Sequence, residues 1–211
     1  MGKRIDPSFY SQITERNSSD IKEKIKLAVV GIAGCGGLGS NAAIALARIG
    51  IKKLIIADFD KVEPSNLNRQ QFFIRDIGKY KTDALGKFIK CVNPFIIIEK
   101  HNIKLTLRNI FSIYSECPII IEAFDKVSEK SMILKAFGDV RFGKKYLITA
   151  SGLAGYYSSN FIKTKKLSTN IFLCGDNQNE GNEKNGLMAP RVMIAAGHQA
   201  NAAVNLISKI Y

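Results

Sequence analysis

The sequence predicts an α/β fold, a Rossmann-like, doubly wound and mostly parallel sheet with a small antiparallel extension and a C-terminal helix. Three observations carry that reading. The run from Ile25 to Ala33 is almost continuously apolar and rich in β-branched residues, as expected of a parallel strand buried on both faces. It ends in Gly34-x-Gly36-x-x-Gly39, a spacing in which one glycine permits the tight turn, the next lets backbone approach phosphate and the third lets helix pack closely on strand. A helix from Leu38 to Ile49 and a strand from Lys53 to Ala57 follow, and that strand ends in Asp58, about 20 residues past the glycines, where a ribose-binding carboxylate belongs. The free N–H groups and positive dipole end of the helix then face a phosphate.

Later elements extend the same alternation. A helix of about three turns is expected from Lys81 to Val92, a fourth strand from Pro118 to Glu122 and a fifth from Lys145 to Ala150. Short strands near Asn160 to Lys163 and Asn170 to Leu173 suit the antiparallel extension. The last helix, Ala189 to Lys209, carries a small-residue face of Ala195, Ala196, Ala202 and Ala203, suited to tight packing on the sheet or on a second subunit. With 211 residues, 46% of them hydrophobic, and no Pro- or Ser-rich linker, residues 1–211 read as one domain, with 1–24 as an N-terminal helical segment.

The chemistry begins after the second strand. Asp58, Asp60, Glu63, Asn66, Asn68, Arg69 and Gln70 crowd the carboxyl end of a central strand, where open α/β sheets hold their ligands. Arg69 offers a planar fork of donors matched to phosphate oxygens. Lys81 opens the next helix, so the two cations together suit a triphosphate and a leaving pyrophosphate. Lys79 reads as part of a solvated basic face.

GCGGLGS from Gly34, ADFDKVEPSNLNRQ from Ala57, and the Gly78-x-x-Lys81 that follows match a known pattern in order and spacing. On these motifs the chain resembles the ThiF/MoeB/HesA family, relatives of ubiquitin-activating enzymes, and it is most similar to the short ThiF-type proteins of thiamine thiazole synthesis. The resemblance covers nearly the whole chain, including the stretch from Gly175 to Ile207, which looks like the family's final crossover loop and helix. It implies MgATP-dependent adenylation of the C-terminal Gly-Gly carboxylate of a small β-grasp sulfur carrier, ThiS-like in the first instance and MoaD-like in the second. Thiazole-synthesis enzymes are possible further partners, and an enzyme acting on a tRNA base carboxylate is a weaker relative, since such members are typically longer. Catalysis of the adenylation step then needs no protein nucleophile, only positioning and electrostatics.

The same resemblance assigns the phosphate loop to Gly34, Gly36, Gly37 and Gly39, the ribose contact to Asp58 with Asp60 beside it, and the triphosphate contacts to Asn66, Arg69 and Lys81. Glu122-Ala123-Phe124-Asp125-Lys126 stands where the family reads DxxDN, so Asp125 is the implied Mg²⁺ ligand, with helix N-capping as its alternative and Ser128 as a rival cap. Glu122 and Lys126 depart from that pattern. Tyr10 to Arg16 resembles the family's N-terminal segment, whose arginine reaches a partner subunit's ATP site; Arg16 is the candidate, in a homodimer.

Cysteines restrict the reading further. Cys35, Cys91, Cys117 and Cys174 are scattered with no CxxC, so the tetrathiolate of longer relatives has no ligands and no structural zinc is expected. Cys35, Cys91 and Cys117 read as buried structural thiols. Cys174 is the candidate for a covalent sulfur linkage, although the resemblance would place such a cysteine near Glu183 to Asn185. His101 and His198 read as satisfied or surface histidines, and the pair Tyr156 and Tyr157 as core or hairpin packing.

A net charge of +13 suits steering of ATP and an acidic carrier. The lysines are scattered rather than gathered in a tract with aromatics, which argues against a nucleic-acid partner. The first residues lack the apolar core of a signal peptide, no apolar stretch is long enough to span a bilayer, and the few unpaired cysteines suit a reducing cytoplasm. Two alternatives on the same fold remain, an NAD-dependent oxidoreductase and a non-catalytic scaffold.

Overall fold

Parallel strands expose two apolar faces, and both need cover. In the computed structural model, which describes residue 6, residues 8–179, residue 181 and residues 185–211, helices cover both. In chain order the elements are α1 (Ser8–Ile13), α2 (Ser19–Ile25), β1 (Val29–Ala33), α3 (Gly37–Arg48), β2 (Lys53–Ala57), α4 (Lys81–Val92), β3 (Ile97–His101), α5 (Ile110–Ile113), β4 (Ile119–Glu122), α6 (Val127–Phe137), β5 (Tyr146–Ala150), β6 (Lys163–Lys166), β7 (Ile171–Gly175) and α7 (Ala189–Ile210). The sheet runs β3-β2-β1-β4-β5-β7-β6. Within the sheet all described strand pairs are parallel except β6 with β7.

Alternation along the strands divides the core. Val30, Ile32, Leu54, Ile56, Ile119 and Ile121 point toward the α3, α4 and α7 side. Ala33, Ile55, Ala57, Ile120 and Leu147 point the other way, onto α5 and α6. The alanine face of α7 is buried, with Ala195, Ala196 and Ala203 at 1% exposure or less, and the helix lies on α3 and across the central strands. Such small side chains let helix and helix approach closely.

Chain order reverses between β1 and β4. β1 leads through α3 to β2 on one side, whereas β4 on the other side is reached only after β3 and α5. Ala33, the last residue of β1, lies opposite Ala57 on β2 and Glu122 on β4. The carboxyl ends of these three strands therefore meet at a topological switch point, the place where open α/β sheets open a crevice.

Several boundaries differ from expectation for local reasons. β1 starts at Val29 because Ile25 ends α2 and a turn intervenes. The extension is smaller than predicted: β7 joins the main sheet parallel to β5, and β6 alone among the described strands runs antiparallel. A single 3-10 turn at Ser159–Phe161 pushes β6 to Lys163–Lys166. Tyr156 is 85% exposed and stacks on the exposed Tyr157, so neither is core. No helix among the described residues is long and apolar enough to cross a membrane.

Tyr114 pins one face of β1. Its hydroxyl donates to the Ile32 carbonyl at 2.9 Å, and its ring lies over Gly31, where an added Cβ would come within 2.6 Å of ring carbon Cδ1. Overpacking a buried site costs about 1–3 kcal/mol. Gly31→Ala is therefore expected to lower unfolding stability by about that amount in urea titration; an unchanged midpoint would show that the ring retreats freely.

Candidate functional site

A cavity of about 220 Å³ lies at the switch point, walled by the loop after β1, the ends of β2 and β4, and the first turn of α7. The glycines build its floor. Gly34 has φ +99°, a conformation side chains rarely adopt, and a Cβ there would press to 2.9 Å of the Ala123 carbonyl. At Gly39 a Cβ would lie 1.9 Å from the Gly34 carbonyl, so the first turn of α3 rests on the end of β1 because that residue has no side chain. Gly34, Gly36 and Gly37 line the cavity; Gly39 stands behind it.

Asp58 forms one wall and is itself held. Its Oδ2 accepts the Cys35 N–H at 2.6 Å and its Oδ1 accepts the Asp60 N–H at 2.8 Å, tying the end of β2 to the glycine loop. Burial raises its carboxyl above the ordinary value, outweighing these two hydrogen bonds and the nearby Lys81 charge. Lys81, buried at the start of α4, pairs with Asp60 at 2.9 Å, and both line the cavity. Arg69 lines it too, its Nη1 donating to Asn68 Oδ1 at 2.8 Å and to the Ser65 carbonyl at 3.2 Å.

Asp125 and Lys126 enter from the turn after β4. Asp125 is exposed, with no hydrogen-bond or ion-pair partner among the described residues, and the N-cap position of α6 falls to Lys126 without a side-chain cap. Neither Asp125 nor Ser128 caps that helix. Among the described residues no group of three or more His, Cys, Asp or Glu side chains is placed to hold a metal.

Besides Gly39, two predicted positions do not reach the cavity. Asn66 is buried in a 3-10 turn, where its Oδ1 accepts the Glu63 N–H at 3.1 Å, so its side chain shapes the loop that presents Arg69. Arg16 is exposed at the other end of the molecule. Beside it, Tyr10 donates to the Gly50 carbonyl and Asn17 to the Ile49 carbonyl, fastening this segment to the far end of α3, about 18 Å of helix from the glycine loop. Within one chain Arg16 is remote from the cavity.

Conversely, the cavity contains residues that the sequence did not single out as site residues. Gln70 and Glu129 line it, each with a buried carbonyl or carboxyl Oε1 that has no hydrogen-bond partner among the described residues. Glu129 follows Asp125 by four residues, one helical turn, and that spacing was the available signal. Burial raises its carboxyl, and Asp125 adds to the rise while Lys126 opposes it. Phe59, with Lys104 over its ring at 5.7 Å, and Leu105 supply an apolar side.

The three buried thiols are not activated. Cys35 is buried and held well above its ordinary value by burial and by Asp58. Cys117 is pushed up to about 12 by burial, and Cys174 to about 11, although a hydrogen bond with Thr164 opposes the rise. Cys91 is exposed, contrary to expectation, because it falls on the solvent side of the last turn of α4. His101 meets Glu99 and His198 meets Thr164, each away from the cavity. Glu183, where a sulfur-linking cysteine would have been sought, lies outside the described residues, as do the first five residues read for a targeting signal.

Residues 10–210 match the model of the ThiF family. The chain belongs to the ThiF family. It is 42% identical over 105 residues to ubiquitin-like modifier-activating enzyme 5 of Rattus norvegicus, covering 48% of this chain and 26% of that protein. It is 32% identical over 143 residues to the adenylyltransferase and sulfurtransferase UBA4 of Scheffersomyces stipitis, covering 67% of this chain and 31% of that one. This ThiF-family chain thus spans about a quarter to a third of the length of the curated relatives it matches. Its fold is that of E. coli tRNA N6-threonylcarbamoyladenosine dehydratase, TcdA, solved in complex with ATP, with a TM-score of 0.84 at 19% identity over 97% of this chain and 96% of that one. E. coli MccB, solved with MccA-N7isoASN, superposes with a TM-score of 0.69 at 22% identity over 95% of this chain and 62% of that one.

In this ThiF-family chain the segment leading to α7 is pinned at both ends by one buried pair. Asp176 accepts from Arg191 Nη2 at 2.5 Å, from the Gln178 and Asn179 N–H groups at 2.9 Å and from Asn179 Nδ2 at 2.6 Å. Burial pushes its carboxyl up, but these hydrogen bonds and the Arg191 charge outweigh it and leave the group below its ordinary value. A depressed carboxylate contributes stability that is complete above its unfolded value of about 3.9 and fades as pH falls through the native value. The destabilisation caused by Asp176→Asn is thus expected to be full at pH 7 and to shrink below about pH 4 in denaturant titrations at several pH values.

Proposed function

We propose that this protein is an ATP-dependent adenylyltransferase that activates the C-terminal Gly-Gly carboxylate of a small β-grasp carrier protein, with a ThiS-like carrier of thiazole synthesis as the first candidate. One observation carries the reading: the glycine loop, Asp58, Arg69, Lys81 and Asp125 all line one cavity at the switch point. A nicotinamide enzyme has no use for two cations and an unpaired carboxylate facing the phosphate loop. The ThiF membership and the likeness to activating enzymes support the choice.

A carboxylate repels nucleophiles and has no good leaving group. Attack by a carrier carboxylate oxygen on the α-phosphorus of ATP forms an O–P bond, breaks the bond from that phosphorus to the bridging oxygen, and releases pyrophosphate; the AMP then serves as leaving group. The N-terminus of α3 receives phosphate charge on its free N–H groups. Asp58 accepts from the ribose, and Arg69 and Lys81 neutralise charge on the departing pyrophosphate, Lys81 exchanging its Asp60 partner for phosphate oxygens. Asp125, a hard oxygen donor without a protein partner, fits a Mg²⁺ that is completed by phosphate oxygens and water, and the ion would add its charge to the same neutralisation. Arg16 serves the partner's site in a homodimer, since it is remote from its own. The setting is cytoplasmic.

A second reading takes the carboxylate from a modified tRNA base. It is favoured by the superposition on TcdA over nearly the whole of both chains, so length does not count against that class. ATP–pyrophosphate exchange separates the two. Exchange is expected to require a carrier ending in Gly-Gly and to vanish when those glycines are removed; equal exchange with the truncated carrier, or exchange driven by tRNA alone, overturns the first reading. Arg69→Ala and Lys81→Ala are each expected to slow exchange by about 10²–10³-fold, the usual cost of one lost charge-stabilising donor.

A further inference from the structure

We propose that the buried Glu122 and the partly buried Lys130 form a clasp whose work is to aim Asp125 into the cavity, making them positioning residues for the site. Glu122 ends β4 and is fully buried. Its Oε1 accepts the Phe124 N–H at 2.7 Å and Lys130 Nζ at 2.9 Å. Its Oε2 accepts Lys130 Nζ at 3.1 Å and the Thr149 hydroxyl of β5. Lys130, in the first turns of α6, also donates to the Ala150 carbonyl at 2.8 Å, and Gln199 of α7 donates to the Glu122 carbonyl at 2.8 Å.

The turn itself, α6 and β5 thus bond one carboxylate while α7 holds the backbone carbonyl of the same residue, and the turn they fix is the one that carries Asp125. That turn has little else to hold it. Its other described backbone anchor is the Ala123 N–H on the Ala33 carbonyl at 2.8 Å, and α6 begins without a side-chain cap. Burying an ion pair is an inefficient route to stability, because an apolar pair of equal volume generally does as well or better. A directional, charged clasp at this point makes sense as a geometric device. The glutamate is long enough to turn back under its own strand end and bond the backbone two residues on, which directs the next residue outward.

The metal-facing part of this proposal rests on the adenylyltransferase reading; the aiming of the turn does not. The double variant E122M/K130M removes both charges while keeping volume, and E122D/K130R restores a paired carboxylate and cation with the length moved from one partner to the other. In the free protein the Phe124 amide is expected to exchange hydrogen at least about tenfold faster in E122M/K130M and to return toward the native rate in E122D/K130R. By calorimetry, ATP affinity in EDTA is expected to stay within about twofold of native, while the Mg²⁺ concentration needed for half-maximal enhancement of ATP binding rises about tenfold, the usual cost of losing a group that orients a ligand. A folded E122M/K130M with native Phe124 exchange overturns the clasp, as does native Mg²⁺ dependence with faster exchange overturn its link to Asp125. Should E122M/K130M fail to fold, Thr149→Val removes one hydrogen bond alone, and the same two readouts are expected to move in the same direction by a smaller factor. Absence of ATP binding in the native protein would defeat the adenylyltransferase reading, while Phe124 exchange still decides the clasp.

Discussion

The contact between the first turn of α3 and the Gly34 carbonyl, just past the end of β1, is the constraint on which the site depends. At 1.9 Å from the Gly34 oxygen there is no room for a methyl group at Gly39, so helix and strand meet backbone to backbone. That approach sets the direction of α3 and brings its free N–H groups over the end of the sheet. It also leaves the Cys35 N–H pointing at β2, where Asp58 takes it. A larger residue at Gly39 would lift the helix, lengthen that bond and open the cavity floor at once.

Polar groups around the cavity follow a division of labour. Those that need a fixed place are bonded to backbone or to a buried partner: Asp58 by two N–H groups, Asn66 within its turn, Glu122 by Lys130 and Thr149. Those that face the cavity keep capacity to spare. Among the described residues Asp125 has no partner and Gln70 and Glu129 each keep an acceptor unmatched, while Lys81 is paired with the half-exposed Asp60 and lies near Asp58. An unmatched buried acceptor costs on the order of 1–3 kcal/mol, so such groups mark where folding has been made to yield to ligand chemistry.

Most of the fold was legible because parallel strands buried on both faces leave apolar runs that end at glycine or acid, and α4 matched its predicted limits from Lys81 to Val92. The glycine loop, Asp58, Lys81 and Asp125 lie beside a strand end or helix start whose place follows from the alternation, so their meeting in one cavity was legible; Arg69, in the loop between β2 and α4, was reached through its motif. Distance in sequence hid the rest. Whether β7 pairs with β5 or only with β6 depends on partners far away in the chain, and local pattern is the same for both. The resemblance implies a phosphate contact for Asn66, whereas in this structure its side-chain oxygen caps its own 3-10 turn, a local use that the polar run does not reveal. Cys91 was misread since an apolar neighbourhood in sequence says little about which side of a helix a residue takes.

β6 bears on how the molecule behaves in company. Its four residues, Lys163, Thr164, Lys165 and Lys166, are all exposed, and the strand forms one edge of the sheet. An edge strand offers unpaired backbone groups to any extended chain that comes near, and lysines along it repel a second copy before those groups can pair. Part of the +13 charge is thereby explained without any ligand. It keeps a seven-stranded sheet from growing into the next molecule, and neutralising Lys163, Lys165 and Lys166 together would turn a soluble edge into a template for aggregation.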